Sequence, residues 1–145
     1  MHLPTSPTTA TAEFDILLIE DDETVRKLLT NALEHRGYSV HAAANGRTAL
    51  RSKSTSRFRL VITDLFMPEM DGLEVIMEHN RTTPQIPLLA MTGGYHYSEP
   101  EETLRMARIL GSDCTIQKPF ELTDFLITVE KVLGSPVRDG SARRG

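Results

Sequence analysis

The stretch LVITDLFMPEMDG occupies residues 60–72 and joins an apolar segment to a polar loop. Residues 60–63 are mostly branched and apolar, which is typical of a strand that is covered on both faces of a parallel sheet. This segment ends at Asp64, so a carboxylate stands where the strand passes into the loop. The same order, an apolar strand followed by a polar or charged residue, recurs along the chain and predicts the fold.

Short apolar runs alternate with amphipathic segments through most of the sequence. Strands are predicted at residues 15–19, 39–43, 60–63, 86–91 and 114–117. Helices are predicted from Val25 to a stop at Gly37, and at residues 48–52, 73–80, 99–110 and 120–133. Five strands alternating with five helices predict a doubly wound α/β fold, in which a parallel sheet is covered by helices on both faces.

Length and composition limit the classes of function. The chain has 145 residues, which is enough for one domain at 14–133, with a disordered leader at 1–13 and a flexible tail at 134–145. A net charge of −4 and only a short tail after the last helix argue against DNA binding. No apolar run reaches the roughly 18–20 residues that cross a bilayer, and no signal peptide is present. We therefore expect a cytoplasmic protein with no membrane partner.

Functional side chains follow four of the predicted strands. Glu20 and Asp21 follow the first strand, Asp64 the third, Thr92 the fourth and Lys118 the fifth. In open parallel sheets, ligands bind at the carboxyl ends of the strands, so these five residues should meet in one crevice. Crowded carboxylates repel one another unless a cation binds, and hard oxygen ligands suit Mg²⁺ or Mn²⁺.

A lysine and a hydroxyl beside such a metal site suit a phosphoryl group. Asp64 is the candidate nucleophile, which would attack phosphorus and form an acyl phosphate. Lys118 would supply a second positive charge, and Thr92 would donate a hydrogen bond to a phosphoryl oxygen. The metal would neutralise the charge that develops during transfer.

Four motifs carry a family resemblance. They are ILLIEDD at 16–22, VITDLFMPEMDG at 61–72, LAMTGG at 89–94 and QKPF at 117–120. Over residues 14–133 the chain resembles the receiver domain of bacterial response regulators, in its stand-alone form. The resemblance implies a flavodoxin-like sheet with strand order 2-1-3-4-5. It also places Glu20 and Asp21 at the family's acidic pair, with Asp22 one position beyond.

The family implies roles for particular residues of the site. Asp21 and Asp64 would ligate Mg²⁺ directly, Glu20 would act largely through water, and the backbone carbonyl of Phe66 would be a further ligand. The resemblance also implies a cis peptide bond between Lys118 and Pro119.

The family also implies the partners of the site. The phosphoryl group would come from a sensor histidine kinase or a histidine phosphotransfer protein. An unknown downstream protein would bind the face formed by the helix at 99–110, the fifth strand and the last helix. The chain would not be an enzyme, apart from its own phosphorylation and slow dephosphorylation.

Several points separate this chain from its family or leave alternatives open. Thr115 stands where many receivers carry a switch aromatic, so we expect Tyr95 or Tyr97 to take part in the readout. Phe66 replaces a residue that is often polar, and it also argues against an aspartyl-phosphate phosphatase, which needs a second Asp there. A phosphorelay intermediate, a phosphate sink and an unphosphorylated pseudo-receiver remain the rival functions.

Three kinds of residue are interpreted as having no functional role. The five histidines show no metal-ligand spacing and are predicted to lie at the surface. The methionines, Met77 among them, are predicted to fill the core and the loops. Cys114, as the only cysteine, cannot form a disulfide within the chain and is predicted to lie in the sheet as a small apolar residue.

Overall fold

The computed structural model describes residues 12–65, 72–93 and 114–134. Its sheet has five parallel strands in the order β2-β1-β3-β4-β5. The strands are β1 (Ala12–Ile19), β2 (Val40–Ala43), β3 (Ser56–Asp64), β4 (Leu88–Gly93) and β5 (Cys114–Lys118). The predicted fold class and strand order are confirmed.

Helices connect the strands and cover the sheet. Within the described ranges they are α1 (Glu23–His35), α2 (Gly46–Lys53), α3 (Gly72–Thr82) and α4 (Leu122–Leu133). The predicted helix at 99–110 lies outside the described residues, as do most of the predicted leader and tail. None of the described helices is long and apolar enough to cross a membrane.

Each face of the sheet has its own core, because successive side chains of a strand point to opposite faces. In β1, Leu17 and Ile19 pack with Val75 and Ile76 of α3. The alternate residues of β1 join a second cluster on the other face, which contains residues of α1 and α4; its members include Ile16, Leu18, Leu29, Leu33, Phe125 and Val129. Both faces of the central strands are therefore buried, as their apolar composition predicts.

Polar residues at the helix ends fix where the helices begin and stop. Asp22 is the N-cap of α1, and its carboxylate accepts a hydrogen bond of 3.0 Å from the amide of Val25. Asn45 caps α2 in the same way, through the amide of Thr48 at 2.8 Å. After α1 the chain turns at Gly37, whose φ of 105° suits glycine because it has no Cβ. Asp22 thus completes a helix, one residue beyond the acidic pair.

Several predicted boundaries are wrong by two to four residues. β1 begins at Ala12, not at residue 15, because Ala12 and Glu13 pair with Ser56 and Arg57 of a correspondingly longer β3. Residues 12 and 13 therefore belong to the sheet and not to a leader. β4 begins at Leu88, not at residue 86, because the preceding residues 83–87 form the connection from α3. Backbone pairing sets these limits, and the apolar pattern does not report it.

Two side chains contradict their predicted environments. His79 was predicted at the surface but is 1% exposed, because Nε2 lies 2.7 Å from the carbonyl oxygen of Ile86 and this hydrogen bond lets the ring be buried. Met77 was predicted to pack in the interior but is 57% exposed, since it lies on the outer face of α3.

Candidate functional site

An acidic crevice lies at the carboxyl ends of β1 and β3. Glu20 directly follows β1 and is 1% exposed, while Asp64 ends β3 and is 6% exposed. Lys118, the last residue of β5, reaches both carboxylates. Its Nζ donates to Oε1 of Glu20 at 2.9 Å and to Oδ2 of Asp64 at 3.0 Å. The parallel order of the strands brings these three residues together from distant points of the chain.

Asp21 completes a set of three carboxylates. One oxygen from each of Glu20, Asp21 and Asp64 lies within 4.8 Å of the other two. Asp21 is exposed, so the cluster has one open side. Oxygen ligands at this separation, without nitrogen or sulfur, suit a hard divalent cation, and the single positive charge of Lys118 does not balance three negative charges. The residues present therefore fit a metal ion.

The pKa values of the site reflect this excess of negative charge. Burial, together with the neighbouring Asp64 carboxylate, raises the pKa of Glu20 from 4.5 to about 7, although Lys118 opposes the shift. Burial lowers the pKa of Lys118, but the carboxylates of Asp64 and Glu20 outweigh burial, and the pKa lies above its ordinary value. Without further positive charge, the crevice therefore favours a proton on Glu20.

The backbone around the acidic pair is held by Arg26 of α1. Its Nη1 donates to the carbonyl oxygen of Glu20 at 3.0 Å. The amide of Asp22 donates to Oε2 of Glu20 at 3.1 Å, so both the main chain and the side chain of Glu20 are fixed. This role of Arg26 was not predicted from the sequence. Its position in the first two turns of the helix after the acidic pair is the signal that could have found it.

Thr92 lies near the crevice on β4. Asp64 pairs with Met91, so Thr92 stands one residue further toward the carboxyl end, beside the end of β3. The side chain is fully buried, and its hydroxyl has no hydrogen-bond partner among the described residues. A buried hydroxyl without a partner costs about 1–3 kcal/mol. Such a group is suited to an incoming oxygen ligand.

The first residue of α3 packs directly against the backbone of Asp64. The amide of Gly72 donates to the carbonyl oxygen of Leu65 at 2.7 Å. A Cβ at Gly72 would lie 2.1 Å from the carbonyl oxygen of Asp64 and 2.4 Å from Cα of Leu65, both far inside van der Waals contact. Only glycine therefore allows α3 to begin at this distance from the end of β3.

The structure brings four of the predicted site residues into direct proximity and places Thr92 on the neighbouring strand. The predicted ligand Phe66 and the predicted readout residues Tyr95 and Tyr97 lie outside the described residues. Thr115, which stands at the position of the switch aromatic, is half-buried in β5 and pairs with Ala90. The predicted cis peptide bond between Lys118 and Pro119 is confirmed.

The chain is similar to known proteins over most of its length. A family model described as the response regulator receiver domain matches residues 16–130. The chain is 35% identical over 120 residues to the response regulator receiver protein CpdR of Brucella abortus, which covers 81% of this chain and 95% of CpdR. It is also 35% identical over 128 residues to the response regulator MprA of Mycolicibacterium vanbaalenii, which covers 88% of this chain.

The chain spans about half of the length of MprA, 53%, so that likeness concerns one part of a longer protein. Among solved structures, the chemotaxis protein CheY4 of Vibrio cholerae matches with a TM-score of 0.73 and 28% identity. That match covers 86% of this chain and 100% of the solved one. Similarity in sequence and similarity in structure therefore both identify response regulators and their receiver domains as the relatives of this chain.

Proposed function

The chain belongs to the response regulator receiver family of two-component signalling, and on that premise we propose that Asp64 is its phosphoacceptor, with Mg²⁺ held by the carboxylates of Glu20, Asp21 and Asp64. The observation that carries the proposal is the position of Lys118, whose Nζ lies 2.9 Å from Glu20 and 3.0 Å from Asp64 in a crevice with three carboxylates. The backbone carbonyl of Phe66 is the further ligand that we propose.

The reaction moves a phosphoryl group between two nucleophiles. A carboxylate oxygen of Asp64 forms a bond to phosphorus while the bond from phosphorus to the donor breaks. The donor is a phosphohistidine of a sensor kinase or phosphotransfer protein, or a small acyl phosphate. Mg²⁺, when bound, neutralises charge on the phosphoryl oxygens. Lys118 adds a fixed positive charge beside the new acyl phosphate.

Phosphorylation would change the hydrogen bonds of two residues at the carboxyl ends of β4 and β5. The hydroxyl of Thr92 would gain a phosphoryl oxygen as its acceptor, and the amine of Lys118 would exchange carboxylate contacts for a phosphoryl contact. Residues of both strands pack in one apolar cluster with α4, so we propose the face formed by β5, α4 and the predicted helix at 99–110 as the surface that a downstream protein reads. Regulation of such a protein is our leading proposal, and a relay or a sink would use the same site.

We further propose that the chain acts in the cytoplasm on a protein partner, without an enzymatic activity beyond its own phosphorylation and dephosphorylation. The net charge of −4 supports a protein partner over DNA, since DNA binding relies on an excess of positive charge. The pseudo-receiver is the weaker alternative, because it gives no role to three carboxylates gathered beside Lys118. It also gives no role to the buried hydroxyl of Thr92, which has no partner among the residues that the structure describes.

The first test measures phosphorylation. Incubation with acetyl phosphate and Mg²⁺ should add one phosphoryl group, detected by intact mass spectrometry. Asp64→Asn and chelation of Mg²⁺ should each abolish the gain. Asp124→Asn, which removes an exposed carboxylate from the first turn of α4, should label like the wild type. Full labelling of Asp64→Asn would refute Asp64 as the phosphoacceptor.

The second test concerns the metal and uses two adjacent acids. Asp21→Asn should abolish the rise in melting temperature that Mg²⁺ gives the wild type, because it removes a ligand. Asp22→Asn is the matched control, since it also removes one negative charge but keeps a side chain that caps a helix well. If both variants lose the Mg²⁺ response equally, the effect comes from general charge and the proposed ligand set is wrong.

A further inference from the structure

A second polar site lies at the opposite end of the sheet, near the start of β3. A pocket of about 420 Å³ opens between the end of α2, the start of β3 and the connection that follows α3. Lys53 and Arg57 supply positive charge to its wall, Thr83 a hydroxyl and Phe58 an aromatic surface, and none of its lining residues is acidic. The pocket is remote from the acidic crevice, because the two sites lie at opposite ends of parallel strands.

The amine of Lys53 has two neutral partners. Its Nζ lies 2.8 Å from Nδ1 of His79 and 2.7 Å from Oγ1 of Thr83. Two N–H bonds of the amine are directed at these acceptors, which leaves one tetrahedral position on nitrogen. That position holds a third proton when the amine is charged and the lone pair when it is neutral. A neutral Lys53 thus keeps its lone pair for an electrophile in the pocket.

The hydrogen bonds of His79 define which ring nitrogen can accept a proton. Nε2 lies 2.7 Å from the carbonyl oxygen of Ile86, and a carbonyl oxygen only accepts, so Nε2 carries the hydrogen. In the neutral ring, Nδ1 is then the acceptor that faces the amine of Lys53. A nucleophile beside a base, with the base oriented by a third group, is the arrangement that activates nucleophiles in covalent catalysis.

We propose that Lys53 is a site of covalent acylation, at which small acyl phosphates transfer their acyl group to the amine with His79 as the base. The amine nitrogen attacks the carbonyl carbon, a C–N bond forms, and the C–O bond to phosphate breaks. The leaving phosphate takes the electron pair of that bond. The proton lost by the amine passes to Nδ1 of His79 and then to solvent, and the product is an amide of Lys53 and inorganic phosphate.

The electrostatics of the pocket favour this chemistry. Burial lowers the pKa of Lys53 from 10.5 to about 8, and the carboxylate of Glu78 opposes the shift only in part, because Glu78 is itself paired with Arg81 on α3. A substantial fraction of the amine is therefore neutral near physiological pH. Arg57 adds a cation at the wall of the pocket. Its contact with Glu13 is long, at 3.8 Å, and exposed to solvent, so the guanidinium can also bind the phosphate of an acyl phosphate.

The chain provides internal controls, because it contains only four lysines. The full chain is incubated with acetyl phosphate and a chelator that suppresses phosphorylation, and acetylation of each lysine is followed by peptide mass spectrometry. Lys53 should react about tenfold faster than the exposed Lys27, because burial lowers the pKa of Lys53 and His79 lies beside its amine as a base. Lys118, which is paired with two carboxylates, should react slowest. A rate at Lys53 no higher than at Lys27 would overturn the proposal.

Two further measurements separate the parts of the proposal. The rate at Lys53 should level off above about pH 8, where most of its amine is neutral. His79→Gln keeps a donor toward Ile86 but replaces the basic Nδ1 with an amide that cannot take up a proton, and it should slow acetylation of Lys53 by about tenfold. In the wild type, which needs no variant to fold, a rate at Lys53 that keeps rising well above pH 8 would refute the lowered pKa of its amine. An unchanged rate in a folded His79→Gln variant would refute the role of His79 as the base.

The class of donor is tested at Arg57. Arg57→Gln should slow acetylation of Lys53 by acetyl phosphate but not by the uncharged N-hydroxysuccinimidyl acetate. Equal effects on both reagents would show that the phosphate of the donor is not recognised. Lys53→Arg should remove the acetylated peptide while Asp64 still accepts a phosphoryl group when Mg²⁺ is present. Loss of phosphorylation in that variant would show that the two sites are not independent.

Discussion

Lys118 and Lys53 are both partly buried, yet their environments have opposite effects on the amine. Lys118 lies between two carboxylates at the carboxyl ends of the strands, and its pKa is raised even though burial alone would lower it. Lys53 lies at the other end of the sheet beside a neutral imidazole and a hydroxyl, and burial lowers its pKa to about 8. The charge of the hydrogen-bond partners, more than burial, decides how firmly a lysine holds its proton.

The two ends of the sheet also differ in whether their buried charges are balanced. At the amino ends of the strands, Asp15 accepts from the amide of Ser39 at 2.9 Å and from Arg59 at 3.1 Å, so a buried carboxylate is balanced by a cation and an N–H donor. At the carboxyl ends, three carboxylates lie together and Lys118 pairs with two of them, while the hydroxyl of Thr92 lacks a partner among the described residues. Unbalanced charges and polar groups without partners are typical of functional sites, where a bound ligand completes the interactions.

The largest effect is expected when Lys118 is changed to Met in the metal-free protein. The change leaves buried carboxylates without their cation, and breaking a buried ion pair in this way costs about 3–5 kcal/mol. The free energy of unfolding, measured with urea at neutral pH, should fall by that amount. Mg²⁺ should restore much of the loss, because it brings positive charge to the same carboxylates.

Lys53→Met is the matched control for this change. It should cost much less, since the partners of Lys53 are neutral and Thr83 still lies 3.2 Å from Nδ1 of His79. Similar losses in the two variants, or a loss in Lys118→Met that Mg²⁺ does not reduce, would contradict the comparison between the two lysines.

The second largest effect is expected in the pH dependence of the free energy of unfolding, to which Glu20 contributes. Its pKa is raised from 4.5 to about 7 in the folded metal-free protein, so the folded state binds its proton more tightly than the unfolded state does. The stabilisation that a proton on Glu20 adds to the free energy of unfolding is therefore fully present below pH 4.5, and it is lost as the pH rises through about 7. A shift of this size corresponds to about 3 kcal/mol.

Glu20→Gln cannot ionise and should remove that part of the pH profile of stability. Urea unfolding across this pH range, with metal removed from both proteins, provides the comparison. A profile in the variant that falls as steeply as that of the wild type would show that Glu20 is not the group responsible.

A smaller effect is expected at the amino ends of the strands. Arg59→Met removes the ion pair with Asp15 and a hydrogen bond of 3.2 Å to the carbonyl oxygen of Leu133. Arg59 is partly exposed, so solvent screens the pair and the loss should be about 1 kcal/mol. Because this network holds no metal ligands, the loss should be the same with and without Mg²⁺. A loss that changes with Mg²⁺ would indicate that the two ends of the sheet are coupled.

Sequence patterns could predict those features that depend on local runs of residues. The apolar segments that end in Asp64 and Lys118 predict both the strands and the meeting of these side chains, because parallel strands align their carboxyl ends. The beginning of β1 at Ala12 depends on pairing with Ser56, a partner 44 positions away, and no local pattern reports it. The residues at the carboxyl ends of the strands were thus predictable, whereas the positions at which the strands begin were not.

The pairing of Lys53 with His79 was also beyond the sequence. The two residues are separated by 26 positions and lie on different helices, and neither belongs to a recognisable motif. His79 was predicted at the surface because the histidines show no metal-ligand spacing, whereas its hydrogen bonds, among them the one to Ile86, allow the ring to be buried. Sites assembled from isolated residues of α2 and α3 require the packing of those helices, which the sequence pattern does not specify.

The two bonds of Arg59 have a further consequence for redesign of the chain. Its guanidinium contacts Asp15 near the start of β1 and the carbonyl oxygen of Leu133 at the end of α4, while Tyr38 donates to the carbonyl oxygen of Gly134 at 3.0 Å. The first strand and the last helix therefore meet at one place, on the side of the sheet away from the acidic crevice. Close ends of this kind favour circular permutation. A short linker from residue 134 to residue 12 should give a permuted chain whose crevice remains unaltered.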